Sequence, residues 1–505
     1  MFSFIHTSLL VLTGILLWWW YSTHIQRKKL PPGPYPLPII GNLHLLGNLP
    51  HRALHKLSQK YGSIMSIRLG SVNAVIVSSP DAAKLFLGTH DAMFASRPKV
   101  QLSKYLYHGN KGILLSEYGE YWRNIRKFCI VELLSAAKLY GFAGMRKEEI
   151  GLMVEEIRVA SMTHQVVNLS KTVGSLIEGM TCRMLFGRKN DETFIFSRLT
   201  DEFAELLGTF NLADYVPMLA PFDIQGLTQR FKSFGKDVDE MLEALITEHE
   251  EYKITKVQNH DQMNFIKILL SVKNKYSITH DNLSITIDRS SMKPILLDMV
   301  AGIIHTSKTS IEWVLSALIK HPRVMKKLQN ELAIVVGDKR MVEETDLAKL
   351  NYLHMVVKET FRLYPVAPLL MPHKSTDDII INGYDIPKHT HVFVNVWAFG
   401  HDPEVWSENW AEFLPERFLE SEIDFRGPDF RLMQFSTGRR GCPAMSLALL
   451  NIYLAVSNLI HCFDWVLQIG MTPTDLDMNE KYVTTMAKVK PLLVVPTYRM
   501  GILSI

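Results

Sequence analysis

The segment Phe435-Ser436-Thr437-Gly438-Arg439-Arg440-Gly441-Cys442-Pro443-Ala444 sets one cysteine between glycines and a proline, just ahead of an apolar run that begins at Met445. A cysteine at a helix N-terminus faces unsatisfied N–H groups and the positive end of the helix dipole, which favour thiolate over thiol. Thiolate is the form that ligates iron. Gly438 and Gly441 let the backbone approach a flat ligand closely. Arg440 can pair with an anionic group on that ligand, and Phe435 can keep water from the sulfur. Cys129, Cys182 and Cys462 lack such surroundings and read as core residues.

Three further pairings carry helical spacing. Glu359 and Arg362 are three apart in Lys358-Glu359-Thr360-Phe361-Arg362, inside an apolar helix closed by Pro365, so they share a face away from water. Trp122 and Arg126 are four apart and also share a face. Gly302 and Thr306 are four apart in Ala301-Gly302-Ile303-Ile304-His305-Thr306-Ser307, which puts open space next to a hydroxyl. His389-Thr390-His391 supplies two imidazoles at strand spacing without a third ligand and reads as a surface turn.

The cysteine segment resembles the haem-binding signature of the cytochrome P450 family, Phe-x-x-Gly-x-Arg-x-Cys-x-Gly. Phe435, Gly438, Arg440 and Cys442 occupy its fixed positions, and Ala444 replaces the last glycine. The resemblance implies Cys442 as the axial ligand of haem b iron. It implies Trp122, Arg126 and His373 as propionate contacts beside Arg440. It adds Arg417, in Pro415-Glu416-Arg417-Phe418, to Glu359 and Arg362 as a buried network for folding and haem retention. Aligned on Thr306, the central helix departs from the family twice: Ile303 replaces a glycine and His305 replaces the acid. Thr306 is expected to order water for proton delivery. His305 either relays protons with it or turns outward. The hinge, Glu312-Trp313 and Asp475-Leu476-Asp477-Met478 resemble the plant microsomal 71 clan.

The elements that must hold these residues read as mainly helical with small β-sheets; the resemblance implies the P450 fold, with haem between the long central helix and the cysteine loop. Helical patterns cover 231–250, 294–319 and 324–336. Strand-like runs lie at 64–69, 74–78, 392–396 and 492–496. Residues 2–23 carry no Asp, Glu, Lys or Arg and end in Trp18-Trp19-Trp20-Tyr21, with Arg27-Lys28-Lys29 close behind. About 20 apolar residues span a bilayer, and the basic flank stays cytosolic, so a single-pass anchor is expected. Residues 27–38 form a basic, Pro-rich hinge read as a stiff spacer, and 39–505 form the catalytic domain. The 505 residues are 47% hydrophobic and 21% charged, with four cysteines and a net charge of +4. Disorder, a disulfide scaffold and a nucleic-acid-binding surface are excluded on that basis.

The resemblance implies an endoplasmic-reticulum monooxygenase that inserts one oxygen atom from O2 into a small hydrophobic plant phenolic, terpenoid or alkaloid. Its electrons come from NADPH through a separate reductase, with cytochrome b5 as an additional partner. The implied substrate pocket includes Gly302, Val366, Ala367, Leu369, Leu370 and Thr484. Two alternatives are a reductase-independent haem-thiolate isomerase or dehydratase, and a non-catalytic, membrane-tethered haem- or ligand-binding protein.

Overall fold

The computed structural model describes residues 6, 13–14, 29–106, 111–187, 193–255, 264–272, 277–278, 283–284, 287–427, 429–468 and 470–501. The anchor expected at 2–23 therefore lies outside the described residues, apart from His6, Thr13 and Gly14. The helices used below are α1 (Pro50–Tyr61), α2 (Glu120–Phe128), α3 (Leu169–Phe186), α4 (Thr193–Gly208), α5 (Leu227–Thr255), α6 (Arg289–Lys320), α7 (Pro322–Val336), α8 (Asn351–Leu363) and α9 (Met445–Cys462). The strands are β1 (Ile64–Leu69), β2 (Val72–Val77), β3 (Val167–Asn168), β4 (His373–Lys374), β5 (His391–Val394), β6 (Phe463–Leu467), β7 (Glu480–Val483), β8 (Thr485–Lys488) and β9 (Leu493–Tyr498). The chain is mostly helical, as its patterning requires.

The centre is α6. Asp288 caps it by accepting the Ser291 N–H at 2.9 Å, and Pro322 begins α7 directly after His321. Nearly every side chain of α6 is buried, because α3, α4, α8 and α9 pack around it. Trp313 stacks on Tyr364 with ring centroids 4.6 Å apart, and its indole N–H donates to the Met486 carbonyl at 2.7 Å. Among the described residues, α9 is long and apolar enough to cross a membrane. Most of it is buried against α6, α7 and α8, so here it serves as core.

The main sheet runs β1-β2-β5-β4. β1 and β2 are antiparallel and β2 pairs with β5 in parallel, a geometry that needs the long intervening helical chain. β6, β9 and β3 form a second sheet, and β7 and β8 form a hairpin. The Pro-rich segment also touches the main sheet. Ser66 of β1 donates to Pro32 O from its N–H at 2.8 Å and to Pro31 O from its hydroxyl at 2.6 Å. A Cβ on Gly33 would fall 1.8 Å from Ser66 O. Free carbonyls of a proline run are good acceptors, and an edge strand supplies the donors.

Candidate haem and substrate site

The loop ahead of α9 is bent by two positive-φ residues, Ser436 at 56° and Gly438 at 65°. Gly438 is required there. A Cβ would lie 2.6 Å from Asp91 Oδ1 and 2.8 Å from Leu87 O. Asp91 Oδ2 accepts both the Arg439 N–H and its guanidinium, at 3.0 and 2.9 Å. The Cys442 N–H closes the turn on Phe435 O at 2.8 Å, and Phe435 packs edge-on against Phe361 and Phe425.

Cys442 faces a cavity between this loop and the α6 face carrying Gly302, Ile303, Thr306 and Ser307. Its side chain is accessible through that cavity, although protein encloses the position. Burial pushes its thiol up, opposed by the Ala444 N–H and by Arg126. The thiolate preference expected from the helix end is thus outweighed by desolvation among the protein groups alone. Gly302 leaves open space, since an added Cβ meets no atom within 4 Å. The Thr306 hydroxyl donates to Gly302 O at 2.5 Å, which aims its lone pairs at the cavity. Val366, Ala367 and Leu370 line the side wall.

The cavity rim is cationic. Arg97, Arg126 and Arg440 all line it, and their hydrogen bonds go to neutral carbonyls. Arg97 donates to Met371 O at 2.6 Å and Pro372 O at 2.9 Å. Arg126 donates to Gly441 O at 2.5 Å. Arg440 donates to Ala95 O, Ile113 O and Ser116 O and stacks 3.9 Å from the Trp122 ring centroid. Burial and mutual repulsion lower Arg97 to about 9 and Arg440 to about 8. His373, expected as a further propionate contact, does not line the cavity and is 1% exposed. Its Nδ1 lies 2.9 Å from Phe94 O, while Nε2 has no partner. Burial and the Arg97 charge hold its pKa well below the usual histidine value. Buried cations with orphaned N–H groups, including Arg97 Nε, are costly until an anion joins them. A ligand with two carboxylates and an iron facing Cys442 fits this donor set. Haem is such a ligand.

Glu359 lies outside the cavity at 0% side-chain exposure. It accepts from Arg362 at 2.7 and 2.9 Å, from Arg417 at 3.0 Å and from the Leu414 N–H at 2.8 Å. Arg362 also donates to Gly400 O and Glu412 O. The network clamps α8 to the segment 400–417.

Three further sequence-derived site residues are placed elsewhere. His305 does not line the cavity: its Nδ1 is 3.0 Å from Asp201 Oδ1 and its Nε2 is 2.7 Å from Thr485 Oγ1. Leu369 and Thr484 line a second, larger cavity, since Leu369 packs with Leu54, Met65 and Ile67 and Thr484 forms the β7–β8 tip. Several site residues escape sequence reasoning. Arg97 precedes a proline in no periodic pattern. Asp298 accepts the Ile113 and Leu114 N–H groups at 2.6 and 3.1 Å, fixing the strap over the cavity. The buried Ser307 hydroxyl lacks a partner; it stands four residues after Ile303, and the two share the neighbouring stripe of α6 that also lines the cavity. His391 sits in β5 rather than a surface turn, and burial lowers it to about 4. The described residues hold no cluster of three metal-ligating His, Cys, Asp or Glu side chains.

Comparison with known proteins agrees with this geometry. The family model described as Cytochrome P450 matches residues 31–493. The chain is 54% identical over 503 residues to "Cytochrome P450 CYP736A12" of Panax ginseng, covering 99% of this chain and 100% of that one. It is 39% identical over 496 residues to "Cytochrome P450 736A117" of Prunus mume, covering 96% and 94%. It is 40% identical over 485 residues to "Norfluorocurarine oxidase" of Strychnos sp, covering 94% of each.

Proposed function

The chain belongs to the cytochrome P450 family and is a haem-thiolate monooxygenase working with a redox-partner reductase, O2 and an organic substrate; from that premise we propose that it is membrane-anchored and oxygenates a small hydrophobic plant metabolite. The observation that carries this reading is the pairing of Cys442 with two buried arginines, Arg97 and Arg440, and the half-buried Arg126 around one apolar cavity. When bound, haem b supplies the oxygen-activating chemistry.

The protein's own residues do the rest. Cys442 Sγ would hold the group from the loop side, while Arg97, Arg126 and Arg440 would orient its carboxylates, with Trp122 packed under Arg440; His373 spends its one N–H on Phe94 O and presents a bare Nε2, so it does not donate to them. Gly302 leaves space on the α6 side of the cavity. Thr306 Oγ1, already donating to Gly302 O, can accept from a water and would so hold a proton donor in the cavity. Val366, Ala367 and Leu370 exclude bulk water and orient an apolar substrate. Ser307 Oγ and Ser310, also on the cavity wall, are available to a polar substituent.

NADPH is the electron source through the reductase, and cytochrome b5 is a second donor. The uncharged stretch at 2–23 and the basic residues after it support a single-pass anchor in the endoplasmic reticulum, with residues 39–505 as the cytosolic catalytic domain. One relative's name records oxidation of norfluorocurarine. For this chain the apolar lining supports a phenolic, terpenoid or alkaloid. Expression in microsomes with a plant reductase, a substrate panel and 18O2 tests the reading. Labelled product dependent on NADPH is expected. Turnover of a hydroperoxide without NADPH would favour an isomerase or dehydratase. Absence of any product across the panel would favour a binding protein.

A further inference from the structure

His305 stands where the family resemblance predicts an acid, and its surroundings give it a different task. It is 8% exposed and lines neither of the two cavities. Both ring nitrogens are engaged across element boundaries. Nδ1 meets Asp201 of α4 at 3.0 Å, and Nε2 meets Thr485 of β8 at 2.7 Å. Asp201 also lies 3.6 Å from Lys308 Nζ, one turn along α6. Burial pushes the Asp201 carboxyl up, but the His305 hydrogen bond and the Lys308 charge outweigh it, so the net shift is downward. Asp201 is therefore a carboxylate near neutral pH and a dependable acceptor for Nδ1–H.

The elements pinned this way form a wall. Thr484, at the β7–β8 tip with φ of 78°, donates to Ala204 O of α4 at 3.1 Å. Gly208 is pressed on the same tip, with a would-be Cβ 2.3 Å from Thr484 N. The Met486 N–H donates to Val366 O at 2.8 Å, and Val366 lines the cavity above Cys442. Tyr482, Thr484, Leu207 and Gly208 line the second cavity, of about 980 Å³. The two cavities share Arg97, Leu370 and Met371. The wall thus stands between the His305 contacts and the space a ligand occupies.

We propose that His305 is a positioning residue: through Asp201 and Thr485 it pins α4 and the β7–β8 hairpin to the central helix and so sets the size of ligand the adjoining cavities admit. An acid at 305 could not do this, because it would set a second carboxylate against Asp201. The ligand-size readout rests on the haem-thiolate reading; the hairpin-rigidity readout does not.

The test uses the full-length holoenzyme and four variants: His305→Ala, Thr485→Val, His305→Asp and the double variant Asp201→Asn with His305→Asp. Amide hydrogen exchange across 480–488 should quicken by about fivefold in the first three, as expected for losing a buried hydrogen bond. The double variant, with an amide facing a carboxylate, should recover protection. The affinity ratio between imidazole and 4-phenylimidazole, read from the Soret shift of ferric haem, should change by about threefold or more in the same three. Peroxide released per NADPH consumed should stay within about twofold, since no proton path is cut. Unchanged exchange and unchanged azole ratio, with rising peroxide release, would overturn the proposal in favour of a proton relay. Should His305→Ala fail to fold, Thr485→Val decides, because it removes one hydroxyl and leaves α6 intact. A wild-type protein lacking a Soret band would reject the haem reading and leave the exchange result standing.

Discussion

Arg440 and Trp122 donate to the same oxygen. The Ile113 carbonyl accepts the Trp122 indole N–H at 2.9 Å and an Arg440 guanidinium N–H at 3.2 Å, while the guanidinium lies 3.9 Å from the Trp122 ring centroid. The arginine is thereby held against the indole, hydrogen-bonded to carbonyls and with Asp91 acting on it only at longer range, ready for a carboxylate. Removing the charge removes the anion contact, worth about 1.5–3 kcal/mol for a charged hydrogen bond. Arg440→Leu should lower the haem-to-protein absorbance ratio of the purified protein by about tenfold or more. Trp122→Leu should lower it less, because the guanidinium stays. Equal haem content in Arg440→Leu and wild type would remove the arginine from the proposed propionate site.

Cys442→Ala should abolish the red-shifted carbon-monoxide band of the reduced protein. Its sulfur is the one cysteine sulfur in the described structure that faces the cavity; Cys129, Cys182 and Cys462 are buried elsewhere. Retention of the band in the variant would mean that another ligand holds the iron.

Thr306 holds its hydroxyl by a bond to its own helix, to Gly302 O, so Thr306→Ser should preserve the geometry and Thr306→Ala should not. Productive turnover should fall by about tenfold or more in the alanine variant, within the range for a general acid–base step, while peroxide per NADPH rises. Coupling that is identical in all three proteins would end the proton-delivery role.

Glu359→Ala leaves Arg362 and Arg417 buried without their carboxylate. Breaking a buried pair this way costs about 3–5 kcal/mol. A urea-unfolding midpoint should drop accordingly, with haem lost early in the transition. A midpoint within error of wild type would mean that the carbonyls of Gly400 and Glu412 satisfy the arginines unaided.

Deleting residues 2–23 should move the protein from the carbonate-resistant membrane fraction to the supernatant, measured by immunoblot of fractionated microsomes. A truncated chain that stays in the carbonate-washed pellet would place the anchor elsewhere.

The residues themselves determined the cysteine loop, because a cysteine between glycines ahead of an apolar helix is local chemistry, carried by a few consecutive positions. The Glu359-Arg362 pair was legible for the same reason: helical spacing fixes which side chains share a face. Only the tertiary structure decided that Arg97 joins Arg126 and Arg440, since residues from three separate segments meet there and none signals the others in sequence. It also decided that His305 faces α4 and β8 rather than the cavity. A rotation of 100° per residue along α6 separates it from Thr306, and which face meets which neighbour depends on how α4 and the hairpin pack. Leu369 and Leu370 were equally apolar in the sequence. The structure turns Leu369 into the β1–β2 core and sets Leu370, at φ of 49°, where both cavities meet, because backbone direction in a loop is set by its long-range partners.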